Sequence, residues 1–289
     1  MCYYGNMNDG VIKVYKKAGE TPLDCIQNLK KERPELGLLP VTYAGRLDPL
    51  AEGVLLLLVG EECKKKDEYL NLSKEYEVEV LFGFATDTYD LLGKVTSSEA
   101  TSGGAESEML FKMVWPSFQK NSERRSEDLL NSISDEAIVL IKKILPEFIG
   151  KIKQSYPPYS SRPVNGKPLF MWAREGKIDE IDIPSHNVLI ENIEIIEENS
   201  YLGVGLLSKI KDDIGKVKGD FRQEEILEIW EKELKGKEEE KYPVVKLRIT
   251  CGSGAYMRSI ANDIGEKLGV PTLALKIVRT KVGEHGINN

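Results

Sequence analysis

The chain has 289 residues, with 40 lysines and arginines against 47 aspartates and glutamates and a net charge of −7; this length allows one large domain or two smaller ones, either burying a sizeable core. Its longest apolar run, Val54 to Val59, is far short of the roughly 20 residues a membrane-spanning helix needs, and its first ten residues lack a basic-then-apolar leader. Cys2, Cys25, Cys63, Cys251, His186 and His285 show neither metal-ligand nor disulfide spacing, so a cytoplasmic protein without metal or other cofactor is expected.

The acidity is local. Residues 191–241 hold 15 acidic and 9 basic residues, a balance of −6 out of −7. Basic groups gather with aromatics instead in "KIKQSYPPYSSRPVNGKPLFMWAREGK", residues 151–177, a composition that suits an RNA backbone and equally a solvated charged face.

Along the chain, residues 11–15 alternate like a strand, and Thr21-Pro22 opens a helix to about Arg33, with threonine as cap and proline in the first turn. Residues 54–60 read as a buried strand and residues 75–82, "EYEVEVLF", as a second one; "ATDTYDLLGKV" is a turn-rich loop leading into another. Residues 97–135 are rich in serine, glycine and charge and read as a surface insertion, after which Ser134 caps an amphipathic helix ending at Pro146. A second insertion spans about 198–242, with Ile226, Ile229, Trp230 and Leu234 on one helical face. Residues 243–250 alternate as a strand, "CGSGAY" is a glycine turn, and "MRSIANDIGEKLG" is a helix closing on Gly269. Strands and helices mix without regular βαβ alternation, so the fold class is α+β: a mixed, mainly antiparallel sheet flanked by helices.

Three residues stand out for chemistry. Asp48 precedes Pro49 at the mouth of the apolar run, and a residue before proline is pushed toward extended geometry, which restricts how the carboxylate is presented; an ordinary Asx turn has the same signature. Tyr76 offers a flat face for a base and a hydroxyl. Arg258 enters a helix after a glycine turn, and an arginine facing a carboxylate favours the ionised form a nucleophile needs.

Together, "YAGRLDPLAEGVLLLLVGE", "KEYEVEVLFGFATDTYDLLGKV", "FIGKIKQSYPPYSSRPVNGKPLFMWAREG" and "LRITCGSGAYMRSIANDIGEKLG", with a weaker match at "LKIVRTKVGE", resemble the TruB family of synthases, which convert a uridine in the T arm of tRNA to pseudouridine. The resemblance implies a pseudouridine-synthase-like catalytic domain over 1–289 bearing the two insertions and no C-terminal PUA domain. It also implies a nucleophilic Asp48, a base-stacking Tyr76, an Arg258 that pairs with the nucleophile, and Ile277 as an apolar pocket wall. Tyr43 and Arg46 stand where the family positions its RNA loop, although the usual histidine is replaced by Tyr43. Tyr159, Arg162 and Lys167 are candidates for holding RNA backbone, and Asp90 for orienting a basic partner; where the family has a lysine after its tyrosine-serine motif this chain has Pro163. The implied partner is the T-arm stem-loop of tRNA, met by a monomer.

Breaking the bond from N1 to C1′, turning the uracil and rejoining it through C5 consumes no phosphate and changes no oxidation state, which suits a chain without a metal cluster or phosphate loop. Aspartate attack at C1′ and at C6 both remain open. Two alternatives stand beside this reading: a synthase of the RsuA or RluA type acting on ribosomal RNA, since "GRLD" resembles those families, and an RNA-binding or folding module without essential catalysis.

Overall fold

The continuous run Glu52–Val59 is a strand with apolar side chains on both faces. Leu55, Leu57 and Val59 pack with Ile12, Val14, Cys25 and Leu29, while Val54, Leu56 and Leu58 pack with Val11, Ala44 and Val282. Burial on both faces removes the polar alternation an exposed sheet would show. The computed structural model that places these residues describes 10–98 and 135–287. The cap expected at Ser134 and nearly all of the first insertion lie outside the described residues.

The described part begins with β1 (Val11–Lys16), α1 (Pro22–Glu32), β2 (Val41–Ala44) and β3 (Glu52–Val59). Thr21 caps α1 through a reciprocal box: its hydroxyl accepts from the Asp24 amide at 3.1 Å while the Asp24 carboxylate accepts from the Thr21 amide at 2.8 Å. Next come α2 (Lys66–Leu70), β4 (Lys74–Phe82) and the small hairpin of β5 (Ala85–Thr86) and β6 (Val95–Ser97). Then α3 (Asp135–Ile144) gives way to a 3-10 turn over Leu145–Phe148, two residues before the end expected at Pro146, because proline disfavours helical geometry in its predecessor. The chain continues through β7 (Gly150–Ser155), the hairpin β8 (Pro163–Val164) and β9 (Lys167–Pro168), α4 (Leu169–Arg174) and β10 (Ser185–Leu202). Two helices follow, α5 (Gly203–Lys216) and α6 (Gln223–Leu234), then β11 (Lys241–Cys251), α7 (Met257–Leu268), β12 (Thr272–Val282) and β13 (His285–Gly286).

Nine strands form one sheet in the order β1-β3-β12-β4-β11-β10-β7, with β2 on β3 and β13 on β12. β12 runs parallel to β3 and antiparallel to β4, so the sheet is mixed and mainly antiparallel. At the parallel contact a Cβ on Gly53, whose φ is +115°, would lie 2.2 Å from the Arg279 carbonyl oxygen; only glycine lets β3 and β12 approach there. That approach brings the loop before β3 close to the middle of β4.

The region assigned to the second insertion consists of strand ends and two helices. β10 runs on to Leu202, paired opposite Lys241 of β11, and α5 and α6 fill the connection. Leu206, Ile210 and Ile214 of α5 and Ile226, Trp230 and Leu234 of α6 join the same apolar cluster as Val78, Phe82 and Leu247 of the sheet, whereas Ile229 is only half-buried. Phe84 links the two parts, edge-on to Trp230 at 4.8 Å and stacked on Tyr242 at 5.2 Å. The helical pair therefore shares the core of the domain. Among the described residues no helix is long and apolar enough to cross a membrane.

Candidate active site

The loop between β2 and β3 carries Asp48. Leu47 and Ala51 on either side of it are buried, and the Ala51 amide donates to the Asp48 carbonyl at 3.1 Å, closing a turn. From beneath, the fully buried Lys16 donates from Nζ to the carbonyl oxygens of Asp48 and Pro49, both at 3.2 Å, and of Ala51 at 2.6 Å. Burial pushes the Lys16 ammonium down to about 8, against the opposing pull of Cys25, Glu20 and Asp48. With its backbone fastened this way, the Asp48 side chain points into a cleft of about 710 Å³ and stays 33 % exposed.

Arg258 meets it from the first turn of α7. The extended backbone of Tyr256 ahead of the helix aims the guanidinium across the cleft floor. Nε donates to Asp48 Oδ2 at 2.8 Å and Nη2 to Oδ1 at 3.4 Å, a two-pronged pairing that fixes the plane of the carboxylate. Nη1 also donates to the Thr88 carbonyl at 2.7 Å and Nη2 to the Tyr159 carbonyl at 3.2 Å. Only 4 % of this side chain is exposed; burial alone would depress its pKa, but the charges of Asp48 and Asp90 outweigh that and raise it. Asp90 lies 3.6 Å from Arg258 Nε, where it backs the guanidinium. It accepts from the Thr88 hydroxyl at 2.6 Å and the Leu92 amide at 2.9 Å, and burial raises its pKa while Arg258 and Thr88 oppose the rise. The turn between these partners holds Tyr89 at a φ of +64°, a left-handed conformation that a bulky residue adopts only when its surroundings enforce it.

Tyr76 of β4 stands opposite Arg279 of β12 and is buried. Burial raises its phenol pKa, so the ring meets the cleft as a neutral face. Ile277 lies two residues from Arg279 on the same strand and lines the cleft beside it. Tyr43 and Arg46 line the mouth, joined by a 3.4 Å hydrogen bond from Arg46 Nη2 to the Tyr43 hydroxyl.

Of the positions singled out from sequence, Asp48, Arg258, Tyr76, Tyr43, Arg46, Asp90, Tyr159 and Ile277 line this cleft. Arg162 and Lys167 do not. Arg162 is exposed and sits over the Tyr156 ring at 5.2 Å, while Lys167 is paired with Glu175 and lies 4.1 Å above the Trp172 ring.

Sequence reasoning missed several residues of the site. Arg279, fully buried, donates to the Val54 carbonyl at 2.7 Å and the Gly45 carbonyl at 3.1 Å, tying β3 and the Asp48 loop to the strand of Ile277; its signal was the weak "LKIVRTKVGE" match, used for Ile277 alone. Lys74, which burial lowers to about 8, closes one side by donating to the Leu70 and Leu72 carbonyls. Lys16 and the α5–α6 connection left no signal in any motif.

Comparison with known proteins matches this architecture to one family. The family described as TruB family pseudouridylate synthase, N terminal domain, matches residues 33–126 and 109–201. The tRNA pseudouridine synthase B of Ligilactobacillus salivarius is 30% identical over 277 residues, covering 95% of this chain and 68% of the relative. The protein of the same name from Clostridium tetani is 28% identical over 281 residues, covering 97% and 70%. One solved chain, from the Cbf5-Nop10-Gar1 complex, aligns with a TM-score of 0.48 and 16% identity over 96% of this chain and 50% of its own. The chain thus spans about two thirds of the length of those curated relatives and half the length of that solved chain.

The family match and these relatives place the protein in a class of isomerases that act on uridine in RNA. The chain belongs to the TruB family of pseudouridylate synthases.

Proposed function

We propose that the chain isomerises a uridine in the T arm of tRNA to pseudouridine, acting as a monomer and as one catalytic unit that carries the helical insertion. The fork from Arg258 to Asp48 at the floor of an aromatic cleft is the observation that carries this reading. In the reaction the bond from N1 to C1′ breaks, the uracil turns, a bond forms from C5 to C1′, N1 gains a proton and C5 loses one. Asp48 supplies the carboxylate that attacks the nucleotide or balances its developing charge, and Arg258 holds that carboxylate in one plane. The Tyr76 ring and Ile277 confine the freed base so that water does not capture the sugar. To reach the floor the nucleotide leaves its stack, at a cost of a few kcal/mol that a loop lowers relative to a duplex. Similarity to relatives named tRNA pseudouridine synthase B supports the cytoplasm as its compartment.

The test is tritium release from uridine C5 of a T-arm stem-loop and, in parallel, of a ribosomal RNA fragment. Release from the T arm alone is the expected result. Release from the ribosomal fragment alone would move the chain to the RsuA or RluA type of activity, and binding of both RNAs without release would leave an RNA-folding module.

A further inference from the structure

The helical insertion reaches the cleft through residues 217–222. Phe221 lines the cleft while 37 % exposed, beside Asp220 and Arg222. The segment is held rigidly. Gln223 donates from Nε2 to the carbonyls of Val217 at 3.2 Å and Gly219 at 2.8 Å, and its Oε1 accepts from the Phe221 amide at 2.9 Å. Arg222, at a φ of +63°, is a strained residue whose side chain accounts for the strain: Nη1 donates to Asp87 Oδ2 at 2.7 Å, and the guanidinium stacks on the Tyr159 ring at 4.6 Å. Tyr159 in turn gives its carbonyl to Arg258. On the opposite side α5 ends against the β1–α1 loop, where a Cβ on Gly19 would lie 2.3 Å from the Lys216 carbonyl oxygen, and the Gly19 amide donates to Pro49 at 2.9 Å. The insertion is thus braced against both halves of the cleft.

Facing Phe221 is α4. Phe170 and Arg174 lie one turn apart on it, both line the cleft, and Arg174 pairs with Asp220, the neighbour of Phe221. The Phe170 amide donates to the Ser160 carbonyl at 3.1 Å. Ser160 is 5 % exposed and lines the same cleft, yet its hydroxyl has no hydrogen-bond partner among the described residues. A buried hydroxyl without a partner costs stability, and at the wall of a cleft a turn of its side chain toward an entering group would relieve that cost.

We propose that Phe221, Phe170 and Ser160 form a seat for a nucleotide adjacent to the target uridine, with Phe221 as its stacking face and the Ser160 hydroxyl as its hydrogen-bonding partner. This rests on the reading of the cleft as a pseudouridine-forming site. The insertion, through Arg222, brings the stacking face to the rim, and a base has a flat surface whatever its identity, so the seat positions the RNA without selecting its sequence.

The experiment measures kcat and KM of wild type, Phe221→Ala and Phe221→Trp on a T-arm stem-loop, and on the same stem-loop with an abasic residue on one or the other side of the uridine. Base stacking on an aromatic ring contributes about 5- to 100-fold in affinity. Phe221→Ala should raise KM by about that factor with kcat within about twofold, and Phe221→Trp should restore it. On the RNA abasic at the seated position, wild type and Phe221→Ala should have the same KM, an outcome that a purely structural role for Phe221 would not produce. An unchanged KM in Phe221→Ala, or a penalty of equal size on both abasic RNAs, would overturn the seat. Failure of wild type on the intact stem-loop would instead defeat the functional reading itself.

Discussion

At the floor of the cleft Arg258 is 4 % exposed and makes four hydrogen bonds to Asp48, Thr88 and Tyr159. At the rim the corresponding arginine, Arg222, is 18 % exposed, and the neighbouring pair of Arg174 and Asp220 is 44 % and 76 % exposed. A charge pair shielded from water keeps its strength and its geometry, whereas one in solvent is screened and gains little. The floor is therefore suited to holding reacting atoms in one arrangement, and the rim to gripping an RNA that must also leave. Substitutions at the floor should act on the chemical step and those at the rim on binding.

The largest effect short of removing the carboxylate is expected from Arg258→Lys. Lysine keeps a charge but not the fork, and single-turnover product formation should fall roughly 100-fold or more; a loss under about fivefold would mean that the plane of Asp48 does not matter. Removing the charge with Arg258→Met leaves Asp90 buried beside no cation and should cost about 3–5 kcal/mol of stability in urea unfolding. Tyr76→Phe keeps the ring and loses the hydroxyl on the strand facing Arg279, so the rate should fall about tenfold with RNA affinity unchanged. At the rim, Arg222→Met should weaken RNA binding about threefold and cost about 1–2 kcal/mol of stability while the saturated rate stays within about threefold. A saturated rate lost as completely as in Arg258→Lys would erase the distinction between floor and rim.

A further effect, on stability alone, concerns pH and Lys16. Its pKa is about 8 in the folded chain against 10.5 when unperturbed. Between those values the unfolded chain holds more protons, so this residue makes stability rise with pH across the window and contributes no change below it. Urea unfolding at about pH 7.5 and about pH 9.5 should show wild type gaining about 2 kcal/mol relative to Lys16→Met. Equal changes in the two proteins would mean that Lys16 is solvated.

Much of this was legible in sequence where the signal is local. Alternation marked β1, β4 and β11, the threonine-proline pair marked α1, and the aspartate-proline pair before an unbroken apolar strand marked the Asp48 loop. α5 was not legible because Gly203, Gly205 and Gly215 weaken its helical signal, although Leu206, Ile210 and Ile214 repeat every four residues and form its buried face. The outer part of β10 read as insertion because its residues 197–199 are exposed and charged or polar. Lys16 looked like one more basic residue in "KVYKK"; only the register of β1, which sets it opposite Gly53, carries its ammonium under the Asp48 loop. Arg222 and Asp87 meet across 135 residues, a separation no motif spans. Arg162 and Lys167 were chosen for charge, and sequence does not reveal that they lie outside the cleft, over the rings of Tyr156 and Trp172.

The most direct measurement is single-turnover pseudouridine formation by Asp48→Asn on a saturating T-arm stem-loop, with RNA binding measured in the same preparation. Binding within about threefold of wild type, with product formation reduced at least about 10,000-fold, is the expected result, because asparagine keeps the shape and loses the charge that reacts. Product at a rate within about tenfold of wild type would contradict the assignment and place the reacting group elsewhere in the cleft.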